Sequence, residues 1–133
     1  MRTFLMLAVT ALLLSACATI SSKKKSSTFE MAMYNYSKAI RWSEFALADS
    51  MRRLPEGRYA TQPVEQLEHI RVTSYETLNT SGLEDETGVR VTARIVYYHD
   101  DGMKLNSLLD NQLWKYDEDN HSWYITTPLP VFK

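Results

Sequence analysis

The chain has 133 residues, with 15 Lys and Arg against 16 Asp and Glu and a formal net charge of −1. That balance argues against a nucleic-acid partner, because phosphate binding draws on a cationic surface. The single cysteine excludes an internal disulfide and a zinc site built from several thiols.

Arg2 gives a short positive start, and Phe4 to Leu14 is an apolar run interrupted only by Thr10. As a helix this run spans about 16 Å, whereas a bilayer core needs about 20 apolar residues. The segment therefore reads as the apolar part of an export signal. Leu14-Ser15-Ala16-Cys17 follows, and it resembles the lipobox of bacterial lipoproteins. That resemblance implies a diacylglyceryl group on the Cys17 thiol, cleavage just before Cys17, and a palmitate-like acyl chain on the new amino terminus. Ala18, by the same resemblance, implies the outer membrane with the protein facing the periplasm. The inner membrane is the alternative. Several acyl chains anchor far more firmly than one.

Residues 18–28 are mostly Ser, Thr and Lys, which cannot build a core, so they read as a flexible tether. Lys23, Lys24 and Lys25 either meet anionic headgroups or keep the tether solvated. The expected organisation is a signal peptide over 1–16, a lipidated cysteine and tether over 17–28, and one domain over 29–133.

Ser27-Thr28-Phe29-Glu30 has the form of a capping box, which starts a helix near Phe29. Phe29, Ala32, Met33, Tyr36, Ile40 and Leu47 recur at helical spacing, with Ser43 as an interruption. Ala39, Phe45 and Ala46 widen the stripe, Trp42 flanks it, and Lys38, Arg41 and Glu44 lie opposite. The stripe predicts one amphipathic helix packed on a sheet, ending between Arg52 and Pro55, with Glu56-Gly57 completing the turn.

Val64 to Thr77 reads as a strand with room for a kink, and Asn79 to Gly88 as a loop. Val89, Val91, Ala93, Ile95 and Tyr97 alternate with more polar neighbours, so this strand turns that set toward the helix. Asp100-Asp101-Gly102 is a hairpin signal. A strand over Met103 to Tyr116, a turn at Asp117-Glu118-Asp119-Asn120 and a short strand over His121 to Thr127 complete an antiparallel meander. Pro128 and Pro130 stop regular pairing. The fold class is α+β, a long helix on a roughly four-stranded antiparallel sheet. The order and length of residues 60–130, ending in Trp114-Lys115-Tyr116, Trp123-Tyr124-Ile125 and Pro128-Leu129-Pro130, resemble the cystatin-like or NTF2-like superfamily. That resemblance implies a curved sheet and a conical cavity, but carries over no catalytic residue.

Chemistry is sparse. His69, His99 and His121 match no metal spacing. His99 and His121 become neighbours only if both sit near hairpin ends. Asp110 is placed to pair with Arg94 or Lys115 across strands. Acid–base work by Asp110 or Glu76 requires a buried carboxyl with a raised pKa. Glu84-Asp85-Glu86 and Asp117-Glu118-Asp119 lack calcium-loop spacing. No Gly-x-Ser-x-Gly, phosphate-loop or dinucleotide motif is present, and no cofactor is expected. Aromatic residues crowd the last three strands, and those facing away from the helix, Tyr98, Trp114, Tyr116 and Tyr124, form the expected interaction surface. The alternative is that Pro128 to Phe132 folds back over them. The expectation is a non-enzymatic, lipid-anchored envelope protein that acts through protein contacts, with a second copy of the chain as one such partner. A module for a small apolar or lipid-like ligand and an NTF2-like enzyme are the alternatives.

Overall fold

The computed structural model describes residues 2–54, 63–85 and 87–133, with side chains from residue 22 onward. The Pro55–Gly57 turn and the side chain of Cys17 lie outside the described residues.

Helix α1 runs from Arg2 to Arg41. Residues 18–28 are therefore helical, and the helix does not begin at a Ser27 cap. No glycine or proline interrupts this stretch. Thr28 turns its hydroxyl back into the helix, donating to the carbonyls of Lys24 and Lys25, each at 3.0 Å. Tertiary contact holds this part of the helix in place: the Trp123 indole N–H donates to the Lys25 carbonyl at 3.1 Å.

The other end of the helix also departs from expectation. α1 stops at Arg41, well before Arg52. The Glu44 N–H reaches back to the Ala39 carbonyl at 2.8 Å and the Ser43 N–H to the Ile40 carbonyl at 3.0 Å, while Ser43 has φ of 58°. This pairing with a left-handed residue is the Schellman termination. A short second helix, α2 (Phe45–Ser50), follows. It buries Phe45 and Ala48 and turns Leu47 outward at 53% exposure, so Leu47 leaves the stripe.

Strands β1 (Ile70–Gly82), β2 (Gly88–His99), β3 (Asn106–Asp117) and β4 (Ser122–Ile125) form one antiparallel sheet in that order. The meander and the α+β class stand as expected. β1 begins at Ile70 after a 3-10 turn at Glu65–Leu67. It runs past Thr77 to Gly82, where the sequence reads as a loop. Its polar end is strand because β2 lies across it, with Asn79 opposite Thr92 and Gly82 opposite Val89. Register shifts after Val72 and after Thr77 bend the strand. Gly88 is required where β2 meets β3, because a Cβ there would lie 2.4 Å from the Trp114 carbonyl oxygen.

On β2 the helix-facing set is as read: Val91, Ala93, Ile95 and Tyr97 are buried. On β3 the same face carries Leu108, Asp110, Gln112 and Trp114. α1 crosses this face diagonally. Phe29 and Tyr36 each set a ring edge-on to Trp114 at 5.8 Å, and Arg41 reaches Val72 at the start of β1. At the far edge, Ile125 exchanges backbone hydrogen bonds with Met51 and Arg53. Beside it the Arg52 guanidinium donates to Asp49 at 2.6 Å and to the Thr127 carbonyl at 2.8 Å.

Candidate interaction surface

The four aromatic residues expected to form one outward patch do not meet. Trp114 is 0% exposed and lies at the centre of the core beneath α1. Tyr116, on the same face, stacks against Trp123 at 5.2 Å and lies under the Lys25 ammonium at 4.6 Å. Tyr124 faces the opposite side of the sheet, largely buried, with the Arg53 guanidinium over its ring. Tyr98 is half-buried near the other end of the strands. Alternation puts two on each face, and α1 covers the face that holds Trp114. The C-terminal segment does fold back, but onto the helix side. Leu129 is buried, Phe132 packs on Phe45 and Tyr97, and the Lys133 N–H donates to the Tyr97 hydroxyl at 2.9 Å.

Lys25 likewise departs from a free tether position. It pairs with Glu118 as well as covering Tyr116. Lys23 and Lys24 are exposed.

The histidines are separate. His99 closes the β2–β3 end and His121 the β3–β4 end, so the length of β3 stands between them. A strand of this length spans about 35 Å. His69 instead lies beside Asp100, 3.1 Å from its carboxylate. Among the described residues no three of His, Cys, Asp and Glu are grouped to hold a metal.

Asp110 does not pair with Arg94 or Lys115. Arg94 bonds Glu76 on the solvent face at 3.3 Å, whereas Asp110 points under α1 and is 6% exposed. There it joins a polar network. Gln112 Nε2 donates to Asp110 and to the Tyr75 hydroxyl, both at 2.7 Å, and Gln112 Oε1 accepts from Trp114 Nε1 at 2.9 Å. Burial pushes the Asp110 pKa up to about 6, with the Gln112 hydrogen bond opposing. Burial first, then the Asp110 charge, raises Tyr36 well above the ordinary phenol value, and its buried hydroxyl has no hydrogen-bond partner among the described residues. The raised pKa fits a candidate acid, but Asp110 lines none of three cavities found between α1 and β1.

Those cavities adjoin one another in a trough between α1 and β1. The first, about 540 Å³, has Phe29, Met33 and Tyr34 on the helix side and Thr77 and Thr80 on the strand side. The second, about 430 Å³, shares Tyr34 and Ser37 and adds Lys38, Arg41, Trp42 and Tyr75. The third, about 280 Å³, continues past Arg41 and Trp42 to Arg71 and Thr73. The trough exists because α1 crosses diagonally and leaves the Tyr75–Gly82 corner uncovered. Tyr34 at 60% and Trp42 at 66% exposure line it, a combination of large apolar groups and water that marks contact surfaces. Sequence reading missed Tyr34, because it lies outside the stripe; Trp42 was only placed beside it.

β1 is also the open edge of the sheet. Val72 shows how the helix end treats this edge. Its N–H donates to Ser43 Oγ at 3.2 Å and its C=O accepts from Arg41 Nη1 at 2.6 Å. Both backbone groups of one strand residue point the same way, so the Val72 backbone faces the outer edge, where Arg41 and Ser43 at the end of α1 satisfy it. Beyond it, nothing among the described residues bonds the outer edge of Ser74–Gly82.

The fold and this surface define an α+β protein with a helix-lined trough beside an open strand. Comparison with protein-family models, with curated proteins and with solved structures gives no match.

Proposed function

We propose that the chain is a lipid-anchored protein of the bacterial envelope, non-enzymatic, whose folded domain acts through protein contacts made at the α1/β1 trough. The observation that carries this reading is the separation of chemistry from access. Asp110, the carboxyl raised to about 6, is sealed under the helix, while the accessible trough presents Tyr34 and Trp42. The anchor rests on Leu14-Ser15-Ala16-Cys17 and the apolar run before it. No helix among the described residues is long and apolar enough to cross a membrane, which says nothing of β-barrels. The cystatin-like or NTF2-like affiliation belongs to the same proposal, supported by one long helix across a four-stranded antiparallel meander. The outer membrane, periplasmic side, is the location Ala18 favours.

The first cavity of the trough, about 540 Å³, supports a second reading, capture of a small apolar or lipid-like ligand over Phe29 and Met33. A pocket above about 300 Å³ is in the range such ligands use.

Intact mass of the protein from a membrane fraction of its host, beside a Cys17→Ser variant, tests the anchor. A lipid-sized increase on a chain starting at Cys17, absent from the variant, is expected; an unmodified chain overturns it. A photo-crosslinking residue at Trp42, compared with one at Leu109, which is 59% exposed, tests the surface. A polypeptide adduct at Trp42 alone is expected, equal adducts at both positions overturn it, and a lipid-sized adduct favours the second reading.

A further inference from the structure

We propose that the trough binds an extended segment of a partner protein, which adds to the sheet as a strand along the outer edge of Ser74–Gly82. This rests on the protein-contact reading and names the kind of partner.

Three independent features converge. The edge is long and unguarded: among the described residues β1 pairs with a strand on one side only, and Tyr75–Gly82 carries one charged residue, Glu76, which is paired to Arg94 on the far face. An open edge is a template for another strand. The end of α1 and the turn after it already use that edge at Val72, where Arg41 and Ser43 take the outward C=O and N–H. The hydrogen-bonding capacity is therefore outward-facing and competent, and it is left open from Ser74 on. The trough beside it is lined by a helix, which supplies pockets for alternate side chains of an added strand, as strand addition requires.

The chemistry of the segment follows from the walls. Over Phe29, Met33 and Tyr34 the trough takes apolar side chains at alternate positions. At the α1 C-terminal end it is bordered by Lys38 and Arg41, with Arg71 just beyond. Arg71 is matched by Asp100, while the Lys38 ammonium has no partner among the described residues. A carboxylate of the segment belongs at that end.

A second copy of this chain fits less well. The breaks in register after Val72 and after Thr77 bend β1, so two copies of it cannot keep a straight mutual ladder. A flexible segment follows the bend.

The test selects peptides from a random nine-residue library against the full chain in detergent, and follows amide exchange of Tyr75–Gly82. In the free protein the outward amides should exchange within seconds, and a selected peptide should slow them at least about tenfold. The selected set should alternate apolar and polar residues, with an acidic residue at one end. Ser37→Trp, which fills the trough from the helix surface, should weaken binding at least about tenfold. Lys38→Glu should weaken it about fivefold at low salt and less at high salt. An edge already protected in the free chain, protection that grows with protein concentration, a selected set with helical spacing, or binding indifferent to Ser37→Trp each overturns the proposal. Lipid mass at Cys17 and a Trp42 adduct are read separately, so the broader reading can survive a failure here.

Discussion

Ser43 accepts a hydrogen bond from the Val72 amide across 3.2 Å, and with the Arg41 bond to the Val72 carbonyl this contact ties the end of α1 to an outward position of the sheet edge. Ser43 holds φ of 58°, a conformation that a non-glycine residue adopts at about 1–2 kcal/mol. Ser43→Ala keeps that strain and leaves the Val72 N–H without its partner. The expected loss is about 1–3 kcal/mol, read from urea unfolding. Ser43→Gly loses the same bond but relieves the backbone, so its loss should be smaller by about 1 kcal/mol. Equal losses in the two variants would show that the left-handed turn carries no strain.

Asp110 should make stability fall with rising pH. Its folded pKa, about 6, lies above the ordinary 3.8. Between those values the folded chain holds a proton that the unfolded chain has released. Stability contributed by the neutral carboxyl is therefore intact below about pH 4 and lost by about pH 7, a change of about 3 kcal/mol for two pKa units. Asp110→Asn keeps an acceptor for Gln112 and removes the buried charge. The variant should be more stable than the parent at pH 7.5 and similar at pH 4, measured by thermal unfolding at both. A pH-independent difference between the two proteins would refute this account.

The docking of α1 on the β3–β4 hairpin should depend on rings more than on charge. Phe29 lies between Trp114 and Trp123, at 5.8 and 4.8 Å between ring centroids. Phe29→Ala should cost about 2–4 kcal/mol and diminish the near-ultraviolet circular dichroism of the tryptophans. The Lys25–Glu118 pair is largely exposed, so Glu118→Ala should cost under about 1 kcal/mol, vanishing at high salt. The reverse ranking would mean that the ion pair orients the helix.

Gly88→Ala should be among the most damaging single-methyl additions. The new Cβ would meet the Trp114 carbonyl oxygen at 2.4 Å, and that oxygen belongs to the β3 backbone. Relief requires moving β2 from β3 beside the buried Trp114, at about 1–3 kcal/mol or more. Gly102→Ala, with nothing within 4 Å of the added atom, is the matched control and should change midpoint stability by less than about 1 kcal/mol. Comparable losses in both would trace the effect to backbone freedom instead of contact.

Local signals in the sequence determined much of the frame. The alternation from Val89 to Tyr97, the turns at Asp100-Asp101-Gly102 and Asp117-Glu118-Asp119-Asn120, and the apolar repeat through Tyr36 and Ile40 each depend on neighbours a few residues apart. They were enough for an α+β meander under a helix. The tertiary structure decided what those signals leave open. A strand's alternation separates two faces but does not say which one a helix will cover, so Trp114 read as surface and is core. The Ser43 turn is held by Val72, and the polar end of β1 is strand only because β2 lies opposite. Asp110 owes its raised pKa to burial under α1. The trough comes from the diagonal of one helix across one sheet, a relation between elements distant in sequence that no local pattern of residues encodes.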